Sequence, residues 1–154
     1  GFLCCIKVNH RSVQYRVFVL KQTQVRSCML YLSIALGGAF GALCRYWVSS
    51  YTYAWLGSDF PFGTLLVNVS GSMAMGFLVI VFTEKLALAE ELKFALLLGF
   101  LGSYTTFSTF ALDSLQWLHN GAMLKVVVYV ISSVAGSLLG VWIGFLAARS
   151  VFLK

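Results

Sequence analysis

The sequence predicts an all-α membrane protein with four transmembrane helices. Three observations carry this reading. The 154 residues are 60% hydrophobic and only 10% charged, against roughly 45–50% and about 25% for a soluble domain. A soluble domain near this size buries only about 68–70% of its chain surface, too little to hide so much apolar side chain. The charges also leave four long gaps: 18 residues between Arg26 and Arg45, 24 between Asp59 and Glu84, 19 between Lys93 and Asp113, and 23 between Lys125 and Arg149. A helical crossing takes about 20 residues, so each gap is a span or nearly one. This composition excludes a soluble globule, a disordered chain and a disulfide-framed secreted module.

Residues 1–28 stand apart. They hold five basic residues (Lys7, Arg11, Arg16, Lys21 and Arg26) and no acid, and apolar residues are interleaved with the basic ones. That is not the pattern of a secretory signal, and no nucleic-acid motif accompanies the charge. The chain divides into a basic N-terminal extension, 1–28, and a four-helix membrane domain, 29–154. The extension reads either as a segment foreign to the native chain, the functional protein starting at Met29, or as a genuine amphipathic or disordered tail.

The first span is expected over 30–51. Ser33, Gly37 and Gly41 recur every four residues and put small side chains on one face, where another helix backbone can approach. Arg45 follows one turn later. It reads either as a positive charge at a membrane mouth or as a snorkelling helix-end residue. The breakers Gly57, Ser58, Asp59 and Pro61 separate it from a second span over 62–83. There Thr64, Asn68, Ser72 and Gly76 form an i, i+4 stripe. A Ser or Thr hydroxyl can satisfy itself on its own helix backbone. The Asn68 carboxamide cannot, so it points to an interhelix or pathway role.

The third span, expected over 92–118, is not uniform. An apolar helix runs from Lys93 to Gly102, about 15 Å long at 1.5 Å per residue, which reaches only mid-membrane. Then comes Gly102-Ser103-Tyr104-Thr105-Thr106-Phe107-Ser108-Thr109-Phe110, with five Ser/Thr residues. This predicts a break in the third helix, tolerated only where protein or a polar cavity covers it and able to offer carbonyls to a cation. The alternative is a continuous helix whose hydroxyls bond its own carbonyls. The fourth span is expected over 122–149. Ser132, Gly136, Gly140, Gly144 and Ala148 form its packing stripe, and Tyr129, Ser133 and Ser137 form a polar one beside it.

The interior donors are neutral. No carboxylate lies in the first, second or fourth span, which argues against a proton-coupled small multidrug or cation exporter of the four-helix type, the alternative kept open. Amide N–H and hydroxyl O–H groups donate to anions, and a phenyl ring has a positive edge, so Phe107 and Phe110, three apart on one face, suit a small hard anion. The four cysteines have no CxxC spacing and the two histidines are far apart, so neither a zinc site nor a redox pair is expected. No nucleophile–base pair supports an enzyme.

Three tracts in order, Gly37-Gly38-Ala39-Phe40-Gly41-Ala42-Leu43-Cys44-Arg45-Tyr46, Gly63-Thr64-Leu65-Leu66-Val67-Asn68 and Gly99 to Phe110, resemble the Fluc (CrcB) fluoride channels over about 29–150. The resemblance implies a fluoride-selective passive channel that exports cytoplasmic fluoride and relieves its toxicity. It implies a multi-pass protein of the bacterial inner (plasma) membrane, surrounded by the lipid bilayer and without nucleic acid. It further implies an antiparallel, dual-topology homodimer with two pores. A structural Na+ would sit at the dimer centre, held by the backbone carbonyls of Gly102 and Thr105. By motif position Asn68, Phe107 and Phe110 carry the fluoride pathway, with Thr64, Ser108, Thr109, Tyr129 and Ser137 lining it and Arg45 at the vestibule. Two departures stand out: Ser103 where a second glycine is common, and Asp113 where a glutamate is common.

The positive-inside rule bears on orientation. Lys85, Lys93, Arg149 and Lys154 face Arg45 and Lys125 across the membrane, a weak bias compatible with dual insertion. Adding the five basic residues of 1–28 would favour one orientation. The expectation is therefore that 1–28 is absent from the native chain, or that an oppositely oriented paralogue makes a heterodimer.

Overall fold

The computed structural model describes the backbone of residues 10–84 and 89–152 and the side chains of 28–83 and 89–152. It is helical between turns: α1 (His10–Leu56), α2 (Phe62–Glu84), α3 (Glu90–Phe94), a π-helical segment (Ala95–Leu101), α4 (Gly102–Tyr104), α5 (Phe107–His119) and α6 (Met123–Phe152). Four stretches are long and apolar enough to cross a membrane: Cys28–Leu56, Phe62–Thr83, Glu90–His119 and Met123–Phe152. The shortest has 22 residues, about 33 Å of helix.

The expected spans are all present, with shifted ends. The first helix continues five residues beyond 51, to Leu56, and ends where Gly57 takes a φ of 78°. Its N–H closes the last turn on the Tyr53 carbonyl at 3.0 Å. Helical backbone also reaches back to His10, because helix geometry does not stop where the apolar pattern does. The remaining residues of the basic extension, 1–9, and the side chains of 10–27 lie outside the described residues, as do Lys85 and Lys154. Gly121, at φ 70°, makes the tight turn from α5 to α6. There the Gly121 N–H bonds the Leu118 carbonyl at 3.1 Å and the Ala122 N–H the Trp117 carbonyl at 2.9 Å, capping the end of α5.

Two close helix pairs make the bundle. Lipid removes most of the hydrophobic drive for helices to associate, so contact rests on backbones approaching where side chains are small. Along α2 and α6, Gly140 lies against the Val69 carbonyl, Gly144 against the Met73 carbonyl and Gly76 against the Val141 carbonyl. Along α1 and the first half of the third span, Gly37 meets the Ala95 carbonyl, Gly41 the Phe100 carbonyl and Gly99 the Ile34 carbonyl. Both small-residue stripes therefore serve as helix contacts. A compact apolar cluster of Ile80, Val81, Phe82 and Ala148 is packed by Phe77, Leu96, Leu97 and Phe145. Most other apolar side chains point outward, and in each span no more than 33% of the most apolar window is buried. Such a surface belongs against lipid or another subunit.

Candidate functional site

The third span holds the least regular backbone. The π-helical segment Ala95–Leu101 hands over to one turn of α-helix, Gly102–Tyr104. Thr105 then leaves helical geometry (φ −79°, ψ 156°), Thr106 is extended (φ −150°, ψ 117°), and α5 restarts at Phe107. Backbone N–H and C=O groups freed inside an apolar medium need partners. Asn68, from α2, supplies two. Its Nδ2 donates to the Thr106 carbonyl at 3.0 Å, and its Oδ1 accepts the Thr106 N–H at 2.8 Å. The Thr106 hydroxyl supplies a third as the N-cap of α5, accepting the Thr109 N–H at 3.2 Å.

Those bonds release specific carbonyls. In an unbroken helix the Thr106 N–H would serve the Gly102 carbonyl and the Thr109 N–H the Thr105 carbonyl. Each donor is engaged elsewhere, by Asn68 and by Thr106. Gly102 is exposed, and nothing nearer than 3.9 Å, the Leu97 carbonyl, stands where its Cβ would be. Backbone carbonyls of this kind suit a hard cation. Among the described residues, no group of three or more His, Cys, Asp or Glu could hold a metal ion.

Beside Thr105 and Thr106 lies a cleft of about 340 Å³ lined by Asn68, Ser72, Thr105, Thr106, Phe107, Phe110, Ser133, Val134, Ser137 and Leu138. Hydroxyls and one carboxamide face it, with no charged side chain in its wall. Phe110 is buried, whereas Phe107 is 77% exposed; their ring centroids are 5.3 Å apart at 49°. Ser133 is 6% exposed, and its Oγ is a buried side-chain atom without a hydrogen-bond partner. An unmet buried hydroxyl costs about 1–3 kcal/mol, and this donor stands free for an acceptor that enters the cleft.

A second polar cluster sits one turn further along α5, towards the loop that carries Ser58 and Pro61. Asp113 Oδ2 accepts from the Thr64 hydroxyl and from the Tyr129 hydroxyl, each at 3.2 Å. With Thr64 donating there, its oxygen takes the proton of the Tyr53 hydroxyl at 3.2 Å. Asp113 and Tyr53 line a smaller cleft of about 230 Å³ with Ser58, Pro61, Gln116 and Trp117. Trp117 and Phe60 pack on the Tyr129 ring at 5.7 and 5.6 Å.

The sequence-derived residues thus fall into groups. Asn68, Phe107, Phe110 and Ser137 share the larger cleft, with Thr105 in its wall. Thr64 and Tyr129 join Asp113 instead. Ser108 and Thr109 are exposed, and their hydroxyls bond the Thr106 hydroxyl at 3.2 and 3.0 Å. Arg45 is half-buried on α1 and lines neither cleft. Ser72 and Ser133 also line the larger cleft; the sequence marks them only as members of polar stripes. Tyr53 lies past the expected end of the first helix and carried no signal.

The family model described as "CrcB-like protein, Camphor Resistance (CrcB)" matches residues 32–145. A protein of Methylococcus capsulatus named fluoride-specific ion channel FluC is 54% identical over 117 residues, 76% of this chain and 51% of that protein. One of the same name from Magnetococcus marinus is 44% identical over 118 residues, covering 77% and 96%. Another, from Vibrio vulnificus, is 45% identical over 117 residues, covering 76% and 93%. The chain spans about half of the Methylococcus relative and nearly all of the other two.

Proposed function

The chain belongs to the CrcB family, and from that membership we propose that it is a fluoride-selective passive channel that lets accumulated cytoplasmic fluoride leave the cell. It is a multi-pass inner-membrane protein and not an enzyme. The observation that carries the ion pathway is the unpartnered Ser133 hydroxyl in a cleft of neutral donors. Fluoride is a small, strongly hydrated acceptor, and a pore must replace its water with donors in series that each bind weakly enough to release it. Ser133, Ser72, Ser137 and the second Nδ2 proton of Asn68 supply O–H and N–H groups. Phe107 and Phe110 supply ring edges of positive potential. Beyond Phe110 the Tyr129, Thr64 and Tyr53 hydroxyls continue the route towards the smaller cleft, and Arg45 raises anion concentration at a vestibule.

The extended Thr105–Thr106 pair supports a third helix broken mid-membrane. The released carbonyls of Gly102 and Thr105 fit a structural Na+, which would neutralise dipoles that the break leaves unpaired. Those carbonyls would hold the ion where two subunits meet. The outward-facing Phe107 ring and exposed Gly102 favour a second copy covering this side, in an antiparallel dimer; a paralogue could take the same place.

Fluoride efflux from liposomes, read with a selective electrode and repeated for chloride, tests the proposal. Rapid fluoride efflux with negligible chloride efflux is expected. Equal efflux of both halides from well-folded protein would overturn selectivity. No fluoride efflux in Na+ buffer, alone or with a paralogue, would overturn the channel.

A further inference from the structure

Two side chains decide which carbonyls around the break are free. Asn68 is held to the Thr106 peptide by both ends of its carboxamide, at 3.0 and 2.8 Å, across 38 residues of sequence. Of these two bonds, the one to the Thr106 N–H has a consequence for Gly102, whose carbonyl is the helical partner of that N–H. The Thr106 hydroxyl takes the Thr109 N–H at 3.2 Å, the donor that Thr105 would otherwise receive. The small residues around the break allow this fit. Gly71 lies against the Thr105 and Tyr104 side chains, and Tyr104 reaches across to the Ser70 hydroxyl at 3.0 Å.

We infer that Asn68 and the Thr106 hydroxyl are positioning residues for the cation site, holding the Gly102 and Thr105 carbonyls free by capturing their helical donors. This rests on the proposed Na+ site. Neither side chain touches the ion. Each acts through a backbone N–H: with the acceptor gone, that N–H turns back to its carbonyl, and the cation must compete with it. Asn68 also lines the larger cleft, so the residue that faces the anion route shapes the cation site as well.

The test uses the purified full chain in detergent and reads thermal midpoint against Na+ concentration, with choline holding ionic strength constant. No flux is measured, so any effect of Asn68 on fluoride stays out of the readout. Wild type is expected to gain stability with Na+. Asn68→Ala and Thr106→Val remove an acceptor, and their half-maximal Na+ concentration is expected to rise about tenfold. Thr106→Ser keeps an acceptor in place and is expected to stay near wild type, an ordering that a general loss of packing would not give. Asn68→Ser replaces Asn68→Ala if the alanine variant does not fold. Unchanged Na+ dependence in both disrupting variants would overturn the positioning role while leaving the Na+ site standing. No Na+ response in wild type would overturn the site and the inference together.

Discussion

The rings of Phe110 and Tyr129 pack with centroids 5.0 Å apart and planes at 52°, and this contact divides the polar interior in two. On one side lie Asn68, Ser133 and Ser137 around the larger cleft. On the other, the Tyr129 hydroxyl reaches Asp113. Both rings are buried, Tyr129 fully. On the proposed route between the two clusters an anion would pass this aromatic contact and meet its ring edges, which carry positive potential.

Phe110→Ile tests that passage. It keeps apolar bulk and removes the ring edge, so fluoride efflux is expected to fall by about tenfold or more, equivalent to roughly 1.4 kcal/mol of barrier. The fold is expected to survive, because a volume-similar apolar exchange usually costs under about 1.5 kcal/mol. Efflux and thermal melts measured on the same preparation separate the two effects. Wild-type efflux would show that the ring edge contributes nothing.

Ser133→Ala should divide stability from activity in the opposite way to most core substitutions. Its hydroxyl is buried without a partner, so removing it relieves a desolvation penalty of about 1–3 kcal/mol. The variant is expected to melt at or above the wild-type temperature. Its fluoride efflux is expected to drop several-fold, because a donor in the series is lost. A lower melting temperature with unchanged efflux would mean that Ser133 only packs.

The contrast between Ser133 and Thr64 shows what the sequence could and could not tell. Charge gaps and stripes of small residues are local patterns, and they gave the four spans and the two helix contacts. The hydroxyl tract after Gly102 likewise marked where backbone geometry changes. Which polar residues share a cleft is not local. Thr64 and Asn68 stand on one stripe, yet Thr64 falls one turn beyond Phe110 and bonds Asp113. That depends on where α5 restarts and how it is rotated, which the bonds between Asn68 and Thr106 help to set. The π-helical segment Ala95–Leu101 had no signature among its Ala, Leu, Gly and Phe residues. Tyr53 lies beyond the expected end of the first span, and among the aromatic residues around it nothing local distinguishes one whose hydroxyl meets Thr64.

Asp113 is expected to matter through the hydroxyls it accepts. Asp113→Ala strands the Thr64 and Tyr129 O–H groups, both on buried residues, at a cost of about 2–4 kcal/mol. Asp113→Asn keeps an acceptor oxygen at that position and should cost less than about half as much. Thermal melts of the two variants, with Tyr129→Phe combined with each, give the coupling. If the energy lies in these bonds, Tyr129→Phe removes part of the Asp113→Ala penalty. Strictly additive effects would place the penalty elsewhere.

The helix pairs give a graded series of glycine substitutions. At Gly144 a Cβ would overlap the Met73 carbonyl, which is backbone and cannot turn away. Gly144→Ala is therefore expected to force α2 and α6 apart and to destabilise by about 1–3 kcal/mol or more. At Gly136 the obstacle is the Val69 Cγ2 at 2.9 Å, a side-chain methyl that moves by a small rotation or shift, so Gly136→Ala should cost less. At Gly102 the helical φ of −63° accepts alanine and the nearest atom is 3.9 Å away, so Gly102→Ala should leave the isolated subunit's stability nearly unchanged. Its methyl would project into exposed space beside the released carbonyls. A melt that stays normal while Na+ stabilisation is lost would therefore locate the constraint on Gly102 outside the subunit, in whatever approaches those carbonyls. The order Gly144, Gly136, Gly102 in thermal melts at low Na+ checks the packing argument, and a Gly102 variant that melts lowest would contradict it.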